Sequence, residues 1–263
     1  MPRKALTYVL PVLAGLVFIG LWYAVRAGLG EERRFLLPTP DEIIAAFGVH
    51  GDQLWAAALN TTQGALIGFS VSVVASFFFA LVLSLTPLIR ASLYPYLMIL
   101  QMTPIIVLAP ILILWAGAGL MSVTIITFLI CFFPMTVNTT QGLISTDRNL
   151  VDFFRMCKAS KRQEIFLLRV PAALPYFFTG LRIAATLAPI GAIVGDFYAG
   201  NSAGGKGGLG FLTIVYASQF KMAALFATAA ASCALGFLFA GVSIGCAWLS
   251  MHHWHDSYNR SDA

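Results

Sequence analysis

The chain has 263 residues, of which 59% are apolar and 10% charged, with a formal net charge of +5 and a mean hydropathy of +0.84. A soluble domain usually carries about 25% charged residues, so this chain cannot cover a water-facing surface. Soluble enzyme, secreted disulfide scaffold and nucleic-acid binder are excluded, and the basic excess is read as a mark of membrane topology.

No charge occurs from Gln53 to Ile89, from Ala91 to Thr146, or from Met222 to Met251. At roughly 20 apolar residues per crossing, these runs alone hold about four transmembrane helices. The first predicted helix is Ala5–Val25, behind Arg3 and Lys4. It is longer than the apolar core of a signal peptide and has no clean small-residue cleavage site, so it is expected to be retained. A mixed segment follows, in which Asp41–Phe47 reads as a short surface helix with Thr39 as cap and Pro40 in its first turn. The second crossing is predicted from about Thr62 to Leu85 and the third from about Ser92 to Trp115. The third contains Pro95, Pro104 and Pro110. Gly117-Ala-Gly-Leu120 is a tight turn, and the fourth crossing runs from Ser122 to Val137. After a polar stretch to Pro175, the fifth covers about Phe177–Phe197 and the sixth about Leu225–Met251, with Gly-rich Gly200–Gly210 between them. No repeat or low-complexity tract appears, so the expectation is one all-α polytopic domain over 1–263, with its core at about 62–251.

Six crossings place both termini on one side. That side carries Arg3, Lys4, Arg90, Arg148, Arg155, Lys158, Lys161, Arg162, Arg169 and Arg260, against Arg26, Arg33, Arg34, Lys206 and Lys221 on the other. The positive-inside rule therefore predicts cytoplasmic termini and a cytoplasmic loop between the fourth and fifth crossings.

That loop is patterned. Apolar residues at 150, 153, 154 and 157 have helical spacing. Ser160 can cap a second short helix, Lys161–Leu168, which Pro171 and Pro175 are expected to stop before the fifth crossing. The result is a helix–turn–helix at 147–171. Physics alone also allows an amphipathic hairpin lying on anionic lipid.

The stretch resembles the coupling loop of ABC importer permeases, whose pattern is Glu-Ala-Ala, three residues, Gly, nine residues, Ile, any residue, Leu-Pro. With the proline on Pro171, Val170 and Leu168 take the Leu and Ile positions. Lys158 takes the Gly position, and Asp152, Phe153 and Phe154 take Glu-Ala-Ala. The continuation Arg169-Val-Pro-Ala-Ala-Leu-Pro-Tyr-Phe-Phe-Thr-Gly-Leu-Arg-Ile-Ala184 resembles permeases of the nitrate, sulfonate, taurine and pyrimidine-precursor group. So do Leu37-Pro-Thr-Pro40, Gly191-Ala-Ile-Val-Gly-Asp-Phe197 and Gly208-Leu-Gly210. The likeness covers about residues 37–250 and departs from the family at Lys158 and at bulky Phe153-Phe154. It implies a type I importer permease fold in the bacterial inner membrane, with the path formed between two copies of the chain. It also implies two cytoplasmic ATPase subunits, which carry ATP and Mg, and an extracytoplasmic solute-binding protein. No cofactor is expected in this chain. Coupling would fall to Asp152, Phe153, Phe154, Arg155, Lys158, Ala159, Ser160, Gln163 and Pro171.

Other motifs are weighed against simpler readings. Gly200-Asn-Ser-Ala-Gly-Gly205-Lys206 nearly matches a phosphate loop, but Gly207 stands where Ser or Thr should hold magnesium and no strand precedes it. A loop closing an outer gate is the preferred reading. His252, His253 and His255 flank Trp254 just after the last helix, which reads as an interfacial end more readily than a metal cluster. Cys131, Cys233 and Cys246 lie in apolar runs as small hydrophobes, and Cys157 is a reduced thiol in the basic loop. Arg182 can snorkel from its helix end. Asp196 is either a gate contact or a solvated helix end. Gln101-Met102-Thr103-Pro104 is a polar break that either lines the path or packs as a kink.

The expected function is thus the permease subunit of an ATP-driven importer, without chemistry of its own. The alternative is a self-contained channel or secondary transporter, which usually places ionisable groups at mid-membrane. An intramembrane metalloenzyme would need ligands inside the helices. For the solute, the absence of a mid-membrane cation and the ending Trp254-His-Asp-Ser257 favour a pyrimidine- or flavin-like heterocycle over a nitrate- or sulfonate-like anion.

Overall fold

Apolar runs of this length fold as helices because a backbone group without water must be bonded within its own segment. The computed structural model describes residues 3–199 and 207–251, with no strand among them. Helix α1, Arg3–Gly28, stands apart for most of its length, with Val12, Leu16 and Phe18 exposed. Among the described side chains, those of its last turns tie it down. The Trp22 indole donates to the Pro38 carbonyl at 3.0 Å, and Arg26 pairs with Glu42 at 3.2 Å.

Helix α2 is one element, Pro40–Leu85, of 46 residues, about 69 Å long at 1.5 Å per residue. It absorbs both the surface helix predicted at 41–47 and the crossing predicted from Thr62. Its start is fixed by a capping box in which Thr39 Oγ1 accepts the Glu42 N–H and the Glu42 carboxylate accepts the Thr39 N–H. The polar stretch between the two predicted pieces stays helical because tertiary contacts support it. Ala46 and Leu54 are buried against Tyr216, Ala224 and Ala227, and the Tyr216 hydroxyl donates to Gln53 at 2.9 Å.

The third crossing is broken. Helix α3, Pro87–Met102, and helix α4, Ile105–Ala116, meet at 96°. Pro104 has no N–H to continue the ladder, and it drives Thr103 to an extended conformation (φ −71°, ψ 124°). Helix α5, Leu120–Ile144, then follows Gly117 and Gly119, both at positive φ.

The broken pair crosses the membrane and does not re-enter. Gly64 and Gly68 of α2 lie against Val123 and Thr127 of α5, and Ala80 clusters with Leu143. The two helices are therefore parallel, and the chain from 86 to 119 must travel back along α2 from Leu85 to the level of Gly64, about 32 Å, to begin α5. Counting α3 and α4 as one span gives six crossings, the number expected.

Helix α6 is Arg148–Met156. Helix α7, Lys161–Gln163, passes through a π turn, Glu164–Arg169, into α8, Val170–Ala199. Helix α9, Leu209–Ser218, and helix α10, Met222–Met251, complete the described chain. The core lies where α8 runs antiparallel to α5, with Ala184, Ala188 and Ala192 buried beside Val123, Cys131 and Met135. The Cys131 thiol donates to the Ala184 carbonyl at 3.4 Å, whereas Cys233 and Cys246 lie on the exposed side of α10.

Small residues set these helix separations, as membrane packing requires. A Cβ on Gly68 would lie 2.6 Å from Thr127 Cβ and 2.7 Å from the Thr124 carbonyl oxygen. Gly68→Ala should force α2 from α5 and cost about 1–3 kcal/mol. Heating followed by size-exclusion chromatography in detergent should show an earlier loss of the monodisperse peak. Gly15→Ala, which meets open space in α1, should leave that peak unchanged.

Candidate functional site

The hairpin after α5 is built from local rules. Asp147 Oδ1 accepts the Asn149 N–H at 2.9 Å and caps α6. At the other end, the Ala159 N–H bonds the Phe154 carbonyl and the Lys158 N–H bonds the Arg155 carbonyl. This pair of bonds is a Schellman closure, whose penultimate residue must be left-handed. Lys158 fills that place at φ 55°. The glycine position of the family pattern therefore has a physical basis, and Lys158 adopts the turn at a cost of about 1 kcal/mol. Ser160 then starts α7 with a second capping box. Its Oγ accepts the Gln163 N–H, and Gln163 Oε1 accepts the Ser160 N–H at 2.8 Å.

The expectation that Pro171 and Pro175 stop this helix is incorrect. Lys161–Ala199 runs on as one 39-residue helical stretch. The reason lies in the π turn, where the Val170 N–H reaches back five residues to the Ile165 carbonyl. That wider turn precedes Pro171, so its missing N–H and its ring fall where the ordinary i−4 ladder is already interrupted. Pro175 follows within α8, and one turn later the Thr179 hydroxyl donates to the Pro175 carbonyl at 2.8 Å.

Glu164 holds the two arms together. Its Oε1 accepts from Arg169 Nε at 2.8 Å and from the guanidinium end at 2.5 Å, and its other oxygen lies 4.0 Å from Arg155 of α6. Arg169 also donates to the Leu143 carbonyl at the end of α5. Glu164 and Arg169 are not among the sequence-derived candidates, although their side chains are only 13% and 21% exposed. Asp152 pairs with Arg155 at 3.6 Å.

Around this fastening, Val151 and Leu168 face inward, while Leu150, Phe153 and Met156 form an exposed apolar strip on α6. Phe166 and Leu167 extend that exposure across the π turn. Phe153 and Phe154 part company here, since Phe154 is half-buried.

At the opposite end of α8, Asp196 is buried, 4% exposed. It is not a solvated helix end. The Thr61 hydroxyl of α2 donates to Asp196 Oδ2 at 2.6 Å and accepts the Leu209 N–H at 2.8 Å. The Gly210 N–H also bonds the Asp196 carboxylate. Gly208, the residue before α9, has no side chain with which to cap the helix. Thr61 and Asp196 therefore cap α9 from two other helices, taking its first two amides. The glycines permit this approach, because a Cβ on Gly208 would lie 2.5 Å from Thr61 Oγ1 and one on Gly210 would lie 2.8 Å from Asp196 Cβ. Thr61 was not a sequence-derived candidate.

Gln101, Met102, Thr103 and Pro104 occupy the bend between α3 and α4. Gln101, Met102 and Pro104 are exposed, and the Thr103 hydroxyl donates to the Ile99 carbonyl at 3.1 Å. They are not in the Asp196 cluster. Arg182 is exposed on α8. Among the described residues there is no group of three or more His, Cys, Asp or Glu that could hold a metal. The candidate loop 200–206 and the residues His252, His253 and His255 lie outside the described residues.

Residues 72–249 match the family described as binding-protein-dependent transport system inner membrane component. The chain is 36% identical over 218 residues to the formylaminopyrimidine transport permease protein ThiX of Halalkalibacterium halodurans, covering 82% of this chain and 84% of the relative. It is 31% identical over 219 residues to the riboflavin transport system permease protein RibX of Chloroflexus aurantiacus, covering 82% and 79%. Against the putative aliphatic sulfonates transport permease protein SsuC of Bacillus subtilis, identity is 29% over 231 residues, covering 83% and 78%.

Proposed function

The chain belongs to the family of binding-protein-dependent transport system inner membrane components, and we propose that two copies of it enclose the path of an ATP-driven importer. It is the multi-pass permease subunit of an ABC importer in the inner membrane. In the proposed assembly the 147–171 hairpin faces the cytoplasm and seats on an ATPase subunit, which alone holds ATP and Mg. An extracytoplasmic binding protein delivers the solute. The solute is a small heterocycle of the pyrimidine or flavin kind, in keeping with the names of two relatives above 30% identity, and the binding protein sets most of the selectivity.

The observation that carries this reading is the continuous helix Lys161–Ala199, which has the hairpin at one end and the Asp196 cluster at the other. Lys161 and Asp196 are about 50 Å apart along it. A rigid-body movement of the hairpin, driven by closure of the ATPase pair, reaches the far end of α8 without an intervening joint. Within the hairpin, Phe153 supplies the docking surface, with Asp152 and Arg155 beside it. Lys158, Ala159, Ser160 and Gln163 hold the turn, and Pro171 sits where the wide turn passes into α8. Gln101, Met102, Thr103 and Pro104 border the path at its bend, and Asp196 gates it through α9.

The test is purification of the tagged chain from native membranes in mild detergent, with partners identified by mass spectrometry. A soluble ATPase should co-purify at about one copy per permease. Phe153→Ala should reduce its recovery about tenfold or more, as expected for an aromatic docking contact, with the permease's own melting unchanged. Phe154→Ala should lower the melting temperature, because that ring is half-buried. Isolation of the chain alone, with transport surviving ATP depletion, would refute the importer assembly.

A further inference from the structure

Between the start of α3 and the end of α5 lies a cleft of about 440 Å³, lined by Pro87, Arg90, Tyr94, Thr140, Gln141 and Ile144. It opens at the hairpin end of the molecule, since Ile144 is the last residue of α5 before the hairpin. Three features distinguish it from an ordinary gap between helices. Arg90 is half-buried and forms no ion pair among the described residues. Thr140 is 1% exposed, yet its hydroxyl has no hydrogen-bond partner. The hydroxyls of Thr127, Thr136 and Thr139 on the same helix are unpaired as well, but of these threonines Thr140 is the one that lines this cleft, where its hydroxyl can donate to a ligand. Tyr94 and Gln141 add a phenol and an amide, giving a donor-rich pocket with one fixed positive charge and no acid.

We propose that this cleft holds the phosphate of an anionic phospholipid headgroup. The cation and donors match a phosphodiester, whose oxygens accept bonds and offer none. The lipid source, as opposed to a soluble phosphate, follows from what continues beyond the cleft. Leu88, Tyr96 and Ile99 on the same helix are exposed along the membrane-spanning length, at 79%, 66% and 63%, where acyl chains attached to the headgroup would lie. Basic pockets between transmembrane helices on the cytoplasmic side bind such headgroups by this chemistry. The assignment rests on the proposed reading that the hairpin faces the cytoplasm, but its test does not depend on transport or on the ATPase.

The transporter, purified with its bound partners, is equilibrated in mild detergent with phosphatidylglycerol and phosphatidylcholine of matched chains, washed, and its retained lipid weighed by mass spectrometry. The wild type should retain phosphatidylglycerol over phosphatidylcholine by about tenfold. Arg90→Gln should bring the ratio near one and Thr140→Val should lower it severalfold, while Arg90→Lys and Thr140→Ser should largely keep it. The ratio is internal to each sample, so a poorly folded variant that sheds both lipids does not imitate loss of selectivity. No preference in the wild type, or a preference unchanged in both Arg90→Gln and Thr140→Val, overturns the proposal. Displacement of the lipid by excess inorganic phosphate overturns the lipid source and points to a soluble anion.

Discussion

Asp196→Ala is expected to release α9 and to abolish transport, while the bundle of α2, α5 and α8 remains assembled. The substitution leaves the Gly210 N–H without its partner, while the Thr61 hydroxyl turns to the Ala57 carbonyl at 3.1 Å. One such buried group costs about 1–3 kcal/mol, a large share of what a ten-residue helix with no side-chain cap of its own can supply. Thr61→Val removes the donor to Asp196 and the acceptor for Leu209 and should act in the same direction. Thr61→Ser keeps both and should stay close to wild type. Hydrogen exchange with mass spectrometry reads the effect directly. Protection should fall over 209–218 in Asp196→Ala and Thr61→Val and persist across α5. Unchanged protection of α9 in both variants would mean that the cluster does not hold it.

The second large effect is expected at Glu164. Glu164→Ala strands Arg169, whose guanidinium is largely enclosed, and cuts the tie to Arg155. Breaking a fully buried pair costs about 3–5 kcal/mol, and the residual exposure of both groups reduces this to about 1–3 kcal/mol. The hairpin should then loosen from α5, and ATP hydrolysis by the assembled transporter should continue without proportionate uptake. Glu164→Leu combined with Arg169→Met replaces the pair by apolar groups and should regain much of the lost stability without regaining coupling. If uptake per ATP hydrolysed is the same in Glu164→Ala as in the wild type, the fastening has no part in transmission.

What could be read from the chain was local. The caps at Thr39 and Ser160 and the break before Pro104 each depend on a few adjacent residues and obey steric rules that travel with the sequence, whereas the turn at Lys158 was signalled only by the glycine of the family pattern. The prolines at 171 and 175 misled because the rule they obey in an α-helix is suspended beside a π turn. The Glu164–Arg169 contact was hidden for the same reason. Residues five apart diverge on an α-helix, where neighbours are three or four apart, and the wide turn brings them together. Thr61 and Asp196 are separated by 135 positions, so no periodicity links them, and a lone threonine at the edge of an apolar run looks like any other. The full length of α2 was also hidden, because its two glycines, His50 and Asp52 at 48–52 read as part of a mixed polar segment until Tyr216 and the start of α10 are laid against α2.

The place of Thr61 along α2 has a mechanical consequence. Of the helix's 46 residues, 21 precede Thr61 and 24 follow it, so the contact with Asp196 grips the rod close to its centre. A beam pivoted at its midpoint swings its two tips in opposite senses. The Pro40 tip lies about 32 Å from the fulcrum at 1.5 Å per residue, so a tilt of about 10° displaces it by about 5 Å, roughly one helical pitch. The Leu85 tip, which leads straight into α3 and the hairpin side, moves by a similar distance the other way. In the proposed assembly, opposed displacement of this kind would widen one mouth of the path as it narrows the other, carrying with it the α5 contacts at Gly64, Gly68 and Ala80.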